Sequence, residues 1–112
     1  GLASGCYGHV DGPRFNTRAE IRGLAACGVT AVSQTGGPET VLAGEAELPF
    51  ALVGYATDHA NGVKPEPTPV ARLLELIAAS TESFTRLLTA ALARIDEDAL
   101  APAGVVYRFD EG

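Results

Sequence analysis

The chain has no methionine and no tryptophan, two cysteines and two histidines, and few aromatic side chains of any kind, 6%. Cys6 and Cys27 form no CxxC pair, and two cysteines are too few for a disulfide framework or a zinc site; a reduced, metal-free, cytoplasmic protein is expected. Basic residues are scarce as well. Eight stand against fourteen acidic ones, a net charge of −6, which argues against a nucleic-acid or anionic-membrane surface. No apolar run approaches the ~18 residues of a membrane span, and no basic start followed by an apolar stretch suggests a secretory signal. The chain opens Gly1-Leu2-Ala3 without an initiator, so it is expected to be processed or to form part of something longer.

What is present describes one globular domain at most: 112 residues, 46% apolar and 20% charged. The most informative stretch runs from Val32 to Thr40, Val-Ser-Gln-Thr-Gly-Gly-Pro-Glu-Thr. An apolar run ends there and a helical pattern begins at Val41 and Leu42, with Pro38 suited to the first helical turn. A strand that enters a helix through Gly36-Gly37 leaves backbone N–H groups aimed ahead of the helix, and these with the helix dipole favour an anion. Ser33 and Thr35 add hydroxyl donors. The same residues also fit an ordinary βα turn whose glycines only permit a tight bend, and both readings stay open at this point. Because the net charge opposes an anion, any such ligand must be held by local donors.

Residues 5–10 read as a strand, followed by a loop at Asp11-Gly12-Pro13-Arg14-Phe15. Thr17-Arg18-Ala19-Glu20 is a capping box, opening a helix with Ile21, Leu24 and Ala25 on one face and Gly28 as its stop. Residues 29–32 form a short buried strand and 38–46 a short helix. The unbroken apolar run Phe50-Ala51-Leu52-Val53-Gly54-Tyr55-Ala56 predicts a strand covered on both faces. Thr68 as cap and Pro69 in the first turn introduce Val70, Leu73, Leu74, Ile77, Thr81, Phe84, Leu88, Ala91, Leu92 and Ile95 at helical spacing. The pattern predicts one long amphipathic helix over 70–96, its apolar face packed in the core. Residues 105–109 form either a last short strand or a docking tail. The order β-α-β-α-β-α implies an α/β layer structure. Three polar clusters, 11–17, 33–37 and 57–61, each follow a strand; sharing one sheet edge, they would build a small-molecule site.

The phrase Gly12-Pro13-Arg14-Phe15-Asn16-Thr17-Arg18-Ala19-Glu20 resembles the GPRF-x-[ST]-x-AE segment of the trimeric purine nucleoside phosphorylase and 5′-methylthioadenosine phosphorylase family. Agreement continues in order through Gly28-Val29-Thr30-Ala31-Val32, then Gln34-Thr35-Gly36-Gly37-Pro38-Glu39, then Leu48-Pro49, then Thr57-Asp58, covering about residues 5–95. The resemblance implies half of a nucleoside-phosphorylase-like three-layer fold, a central mixed β-sheet flanked by helices, with residues 1–112 as the carboxyl-terminal portion. It implies phosphate-dependent cleavage of the N-glycosidic bond of a purine nucleoside or its methylthio analogue, giving free purine and pentose 1-phosphate. Inorganic phosphate is the co-substrate, and no cofactor or metal is implied. Thr35, with Ser33 beside it, would donate to phosphate. Phe15 would line the base pocket, Asn16 would stand at a base-contacting position and Gln34 at a sugar-contacting one. Asp58 would protonate purine N7 as the bond breaks.

Each role has a plain structural counterpart. Asp58 also suits an Asx turn bonding to Ala60, Phe15 a core position, and Arg14 and Glu20 a loop donor and a cap. His9 and His59 fall on no assignable motif position. Gln34 puts an amide where the family has an apolar sugar contact, and Ala60 stands where the methylthioadenosine enzymes carry a second aspartate. These departures leave the base and the sugar open, and keep alive a non-catalytic nucleoside- or partner-binding subunit. The family's amino-terminal half has no counterpart here. A companion chain carrying it is expected, within a trimer or hexamer of complete protomers.

Overall fold

The computed structural model describes residues 4–104 and 107–109. Strand β1 is Tyr7–His9, helix α1 Arg18–Ala26 and strand β2 Ala31–Ser33. β1 and β2 pair in parallel with Tyr7 opposite Ala31, Gly8 opposite Val32 and His9 opposite Ser33. The parallel sense follows from the helical crossover, since two strands running the same way need such a connection. Thr30 N–H donates to the Cys6 carbonyl at 2.8 Å and Val10 N–H to that of Ser33 at 3.0 Å, extending the pairing beyond both ends of the ladder.

The capping box closes as the sequence predicts. Glu20 N–H donates to Thr17 Oγ1 at 3.2 Å and Thr17 N–H to Glu20 Oε2 at 2.7 Å, so two donors at the start of α1 satisfy each other's residues. The helix ends at Cys27, with Gly28 following in the left-handed region. Helix α2, Gly37–Glu45, carries Pro38 in its first turn. Gly36 precedes it at φ 80, a conformation that disfavours side chains, and a Cβ there would lie 2.7 Å from Leu52. Ile21 of α1 and Ala43 of α2 are the buried apolar side chains among the described residues.

Helix α3, Val70–Leu92, is 23 residues long. It stops short of residue 96, and its cap differs from the prediction. Pro69 occupies the cap position with no side-chain hydrogen bond, so Thr68 does not serve there. Asp96 instead caps a separate 3-10 turn, Glu97–Ala99, accepting from Asp98 N–H at 3.2 Å. The predicted core role of α3 fails. Leu73, Leu76, Ser80, Ser83 and Phe84 are half-buried, with the Phe84 ring tilted 6.2 Å from Tyr55. Val70, Leu74, Ile77, Leu88 and Leu92 form a second apolar stripe about 100° further round the helix, open to solvent.

The expected strand over 50–56 is also absent. No backbone hydrogen bond joins this segment to another among the described residues, and Leu52 and Val53 stay exposed. An apolar run becomes a strand only where a neighbouring ladder takes up its N–H and C=O groups. The sheet is therefore two parallel strands and no more, again among the described residues. Of the 105–109 segment, residues 105 and 106 lie outside the described residues; 107–109 is not a strand, and Arg108 pairs with Glu47 at 2.5 Å.

The consequence is a chain with far more surface than its mass warrants. Its accessible area is 9314 Å², where a compact monomer of this size would show about 5,800 Å². The radius of gyration is 17.3 Å against about 13 Å for a compact domain of this length. No helix among the described residues is long and apolar enough to cross a membrane.

Candidate functional site

β1 and β2 run side by side, so the loops leaving Val10 and Ser33 emerge at one sheet edge. The loops are tied together there. Gln34 Nε2 donates to the Arg14 carbonyl at 2.8 Å, and Asn61 Nδ2 donates to the Asn16 carbonyl at 2.8 Å. A Cβ at Gly12 would stand 2.5 Å from Gln34 Oε1, so a side chain there would displace the Gln34 amide. The first two polar clusters picked out by the sequence thus meet at the carboxyl edge of β1 and β2, and Asn61 ties the third, which follows no strand, to the first.

The first loop is braced from below. Arg14 grips Glu20 with two parallel bonds, Nη1 to Oε2 at 3.0 Å and Nη2 to Oε1 at 2.7 Å, the fork geometry that suits guanidinium and carboxylate. Asn16 Nδ2 adds a third side-chain donor at 3.3 Å. The Arg14 guanidinium, and then the Thr17 N–H, hold the Glu20 carboxyl down at about 2. Between these anchors Phe15 projects into solvent, 85% exposed, which removes it from any core role.

The second loop is the turn between β2 and α2. Ser33 closes β2 half-buried, and Thr35 is exposed with its hydroxyl unpartnered among the described residues. The N–H groups that open a helix have no partner within it, and α2 has no side-chain cap at Gly36. Glu39 stands in the first turn of α2 and offsets part of the positive end of its dipole. An anion here would therefore depend on the Thr35 hydroxyl and the nearby N–H groups rather than on the helix as a whole.

The third loop places Asp58 on the wall of an open hollow of about 340 Å³ with Thr57, His59, Thr68 and Arg72. Thr57 Oγ1 donates to Asp58 Oδ1 at 2.7 Å, and no Asx bond to Ala60 forms. Arg72 also pairs with Glu75 at 2.9 Å. None of Phe15, Asn16, Ser33, Gln34 or Thr35 lines this hollow. The candidate acid and the candidate anion turn thus flank one edge without sharing a single cavity.

Two residues without a sequence-assigned role enter the site. Tyr7 and His9, two apart in β1, lie on the same face of the strand. The Tyr7 hydroxyl donates to the Thr35 carbonyl. The His9 ring lies against Gly37, where a Cβ would overlap it, and His9 Nε2 is 3.9 Å from the Asp11 carboxylate. The period-2 alternation of a strand leading to the same edge was the available signal. A second open hollow, about 540 Å³, lies beside His9, Asp11, Gly37, Pro38, Val41 and Leu42. No group of three or more potential metal-ligating side chains occurs among the described residues.

Comparison with known proteins bears on the family of the chain. The sequence profile of the Phosphorylase superfamily matches residues 2–93. The chain is 37% identical over 98 residues to a probable 6-oxopurine nucleoside phosphorylase of Thermococcus kodakarensis, covering 88% of this chain and 37% of that protein. It is 34% identical over 94 residues to the 6-oxopurine nucleoside phosphorylase of Pyrococcus furiosus, covering 84% of this chain and 36% of that one. It is 38% identical over 90 residues to the S-methyl-5′-thioadenosine phosphorylase of Mycobacterium tuberculosis, covering 80% and 34% respectively. The chain thus spans little more than a third of the length of these relatives. No solved structure matches it.

Proposed function

Because the chain belongs to the phosphorylase superfamily, we propose that it forms the carboxyl-terminal part of a purine nucleoside phosphorylase that acts with an amino-terminal companion. The reaction is phosphate-dependent cleavage of an N-glycosidic bond, giving a purine and a pentose 1-phosphate. The observation that carries this reading is the meeting of three loops at the carboxyl edge of β1 and β2, held by Gln34 to Arg14 and Asn61 to Asn16.

In this reading Thr35, Ser33 and the first N–H groups of α2 hold phosphate beneath the anomeric carbon. Phe15 and Asn16 meet the base, and Gln34 stands on the sugar side. Asp58 delivers a proton to purine N7, so that the leaving base departs neutral. The transition state is cationic at the sugar, which makes the placing of a phosphate anion worth more there than in the ground state. No cofactor enters; phosphate is consumed as a substrate in the cytoplasm. The companion would complete the sheet to three layers and cover the open faces of α3 and of residues 50–56. About 3,500 Å² of accessible surface beyond that of a compact monomer is several times what one partner buries in a standard interface. Trimers or hexamers of such complete protomers are the proposed assembly.

Thr35→Val tests the anion assignment. Loss of one charge-assisted hydrogen bond, about 1.5–3 kcal/mol, raises the phosphate KM of the assembled enzyme about 10- to 100-fold, with little change in nucleoside KM. An unchanged phosphate KM would remove Thr35 from the site.

A further inference from the structure

The turn that carries Thr35 is fastened to the strand beneath it at two points, both on one face of β1. Tyr7 donates its hydroxyl to the Thr35 carbonyl, at the middle of the turn. Two residues on, the His9 ring packs against Gly37, the first residue of α2. The register makes this possible: His9 lies opposite Ser33, the last residue of β2, so β1 runs beneath the point where the chain leaves the sheet. Among the described residues Thr35 makes no other hydrogen bond. The Tyr7 hydroxyl thus donates the hydrogen bond that ties Thr35 to the sheet, and a neutral donor spent on one exposed carbonyl gives little to stability. Tyr7 is 42% exposed, so its ring is not a core anchor either.

We infer that Tyr7 is a positioning residue, which sets through its hydroxyl where Thr35 presents its donors. The inference rests on the phosphate reading of the Thr35 turn given above. A donor displaced by even a fraction of an ångström loses geometry that its ligand requires, while the fold around it is undisturbed.

A double-mutant cycle on the assembled enzyme tests this with inorganic phosphate as the probe. Tyr7→Phe keeps the ring and removes the hydroxyl. It raises the phosphate KM about five- to tenfold, leaves the nucleoside KM and the melting temperature as in the unmodified protein, and has no further effect in a Thr35→Val background. A purely structural Tyr7 would lower the melting temperature and move both KM values alike in both backgrounds, and that result overturns the inference. So does an unchanged phosphate KM in Tyr7→Phe beside a raised one in Thr35→Val, which leaves the phosphate reading standing. If Thr35→Val alone changes nothing, both the reading and the inference fall.

Discussion

The open stripe of α3 makes a quantitative prediction about association. Leu74, Ile77 and Leu88 are 61%, 54% and 46% exposed, so covering them removes about one and a half side chains' worth of apolar surface from water. At about 2 kcal/mol per fully buried aliphatic side chain, that is about 3 kcal/mol, or about 100-fold in a dissociation constant. Expressed without a companion, the chain should satisfy this stripe by associating with itself. Sedimentation velocity over a concentration series measures the association directly. Replacing all three residues by Gln, which keeps helix propensity, should shift the apparent dissociation constant about 100-fold toward monomer. A monodisperse, cooperatively melting monomer of the unmodified chain, or an unaltered constant in the triple variant, would refute the reasoning.

Two further outcomes follow from the site. Asp58→Asn should lower kcat by about 10²–10⁴-fold, the usual contribution of a positioned general acid. It should also move preference toward 6-oxopurine nucleosides, since an amide both donates to N7 and accepts from a neighbouring N–H; equal activity on every purine would reject the role. The Glu20 carboxyl, lowered in the folded chain from an ordinary 4.5 to about 2 by Arg14 and then the Thr17 N–H, stabilises the start of α1 at pH values above 4.5. That stabilisation should be lost as pH falls from about 5 toward 2. Thermal melts across that window should show an acid-dependent decline that is smaller in Glu20→Gln, and parallel declines would argue against it.

The elements legible in the sequence were those whose determinants are local. The Thr17–Glu20 box places the start of α1 because both partners lie within one helical turn. Gly36 and Pro38 place the start of α2 through backbone conformation alone. The long period of α3 marked a helix, but not what it packs against, because periodicity reports two faces and not their cover. Phe50 to Ala56 misled for the same reason: a strand needs a partner ladder from elsewhere in the fold, and none reaches it among the described residues. In the site, the GPRF phrase and the Gly-Gly-Pro turn were readable because loop chemistry is written in neighbouring residues. The contacts of Gln34 with Arg14 and of Asn61 with Asn16 were not, since each depends on how separate loops converge. The Tyr7 bond to the Thr35 carbonyl was hidden in the same way, across 28 residues.

Phosphate dependence is the most direct test of the central claim. The assembled protein, incubated with inosine, adenosine or methylthioadenosine, should release free purine only when inorganic phosphate is present. Phosphorus NMR should then show a pentose 1-phosphate formed in equal amount to the base. Base released at the same rate without phosphate, or no base released from any of the three nucleosides, would contradict the account.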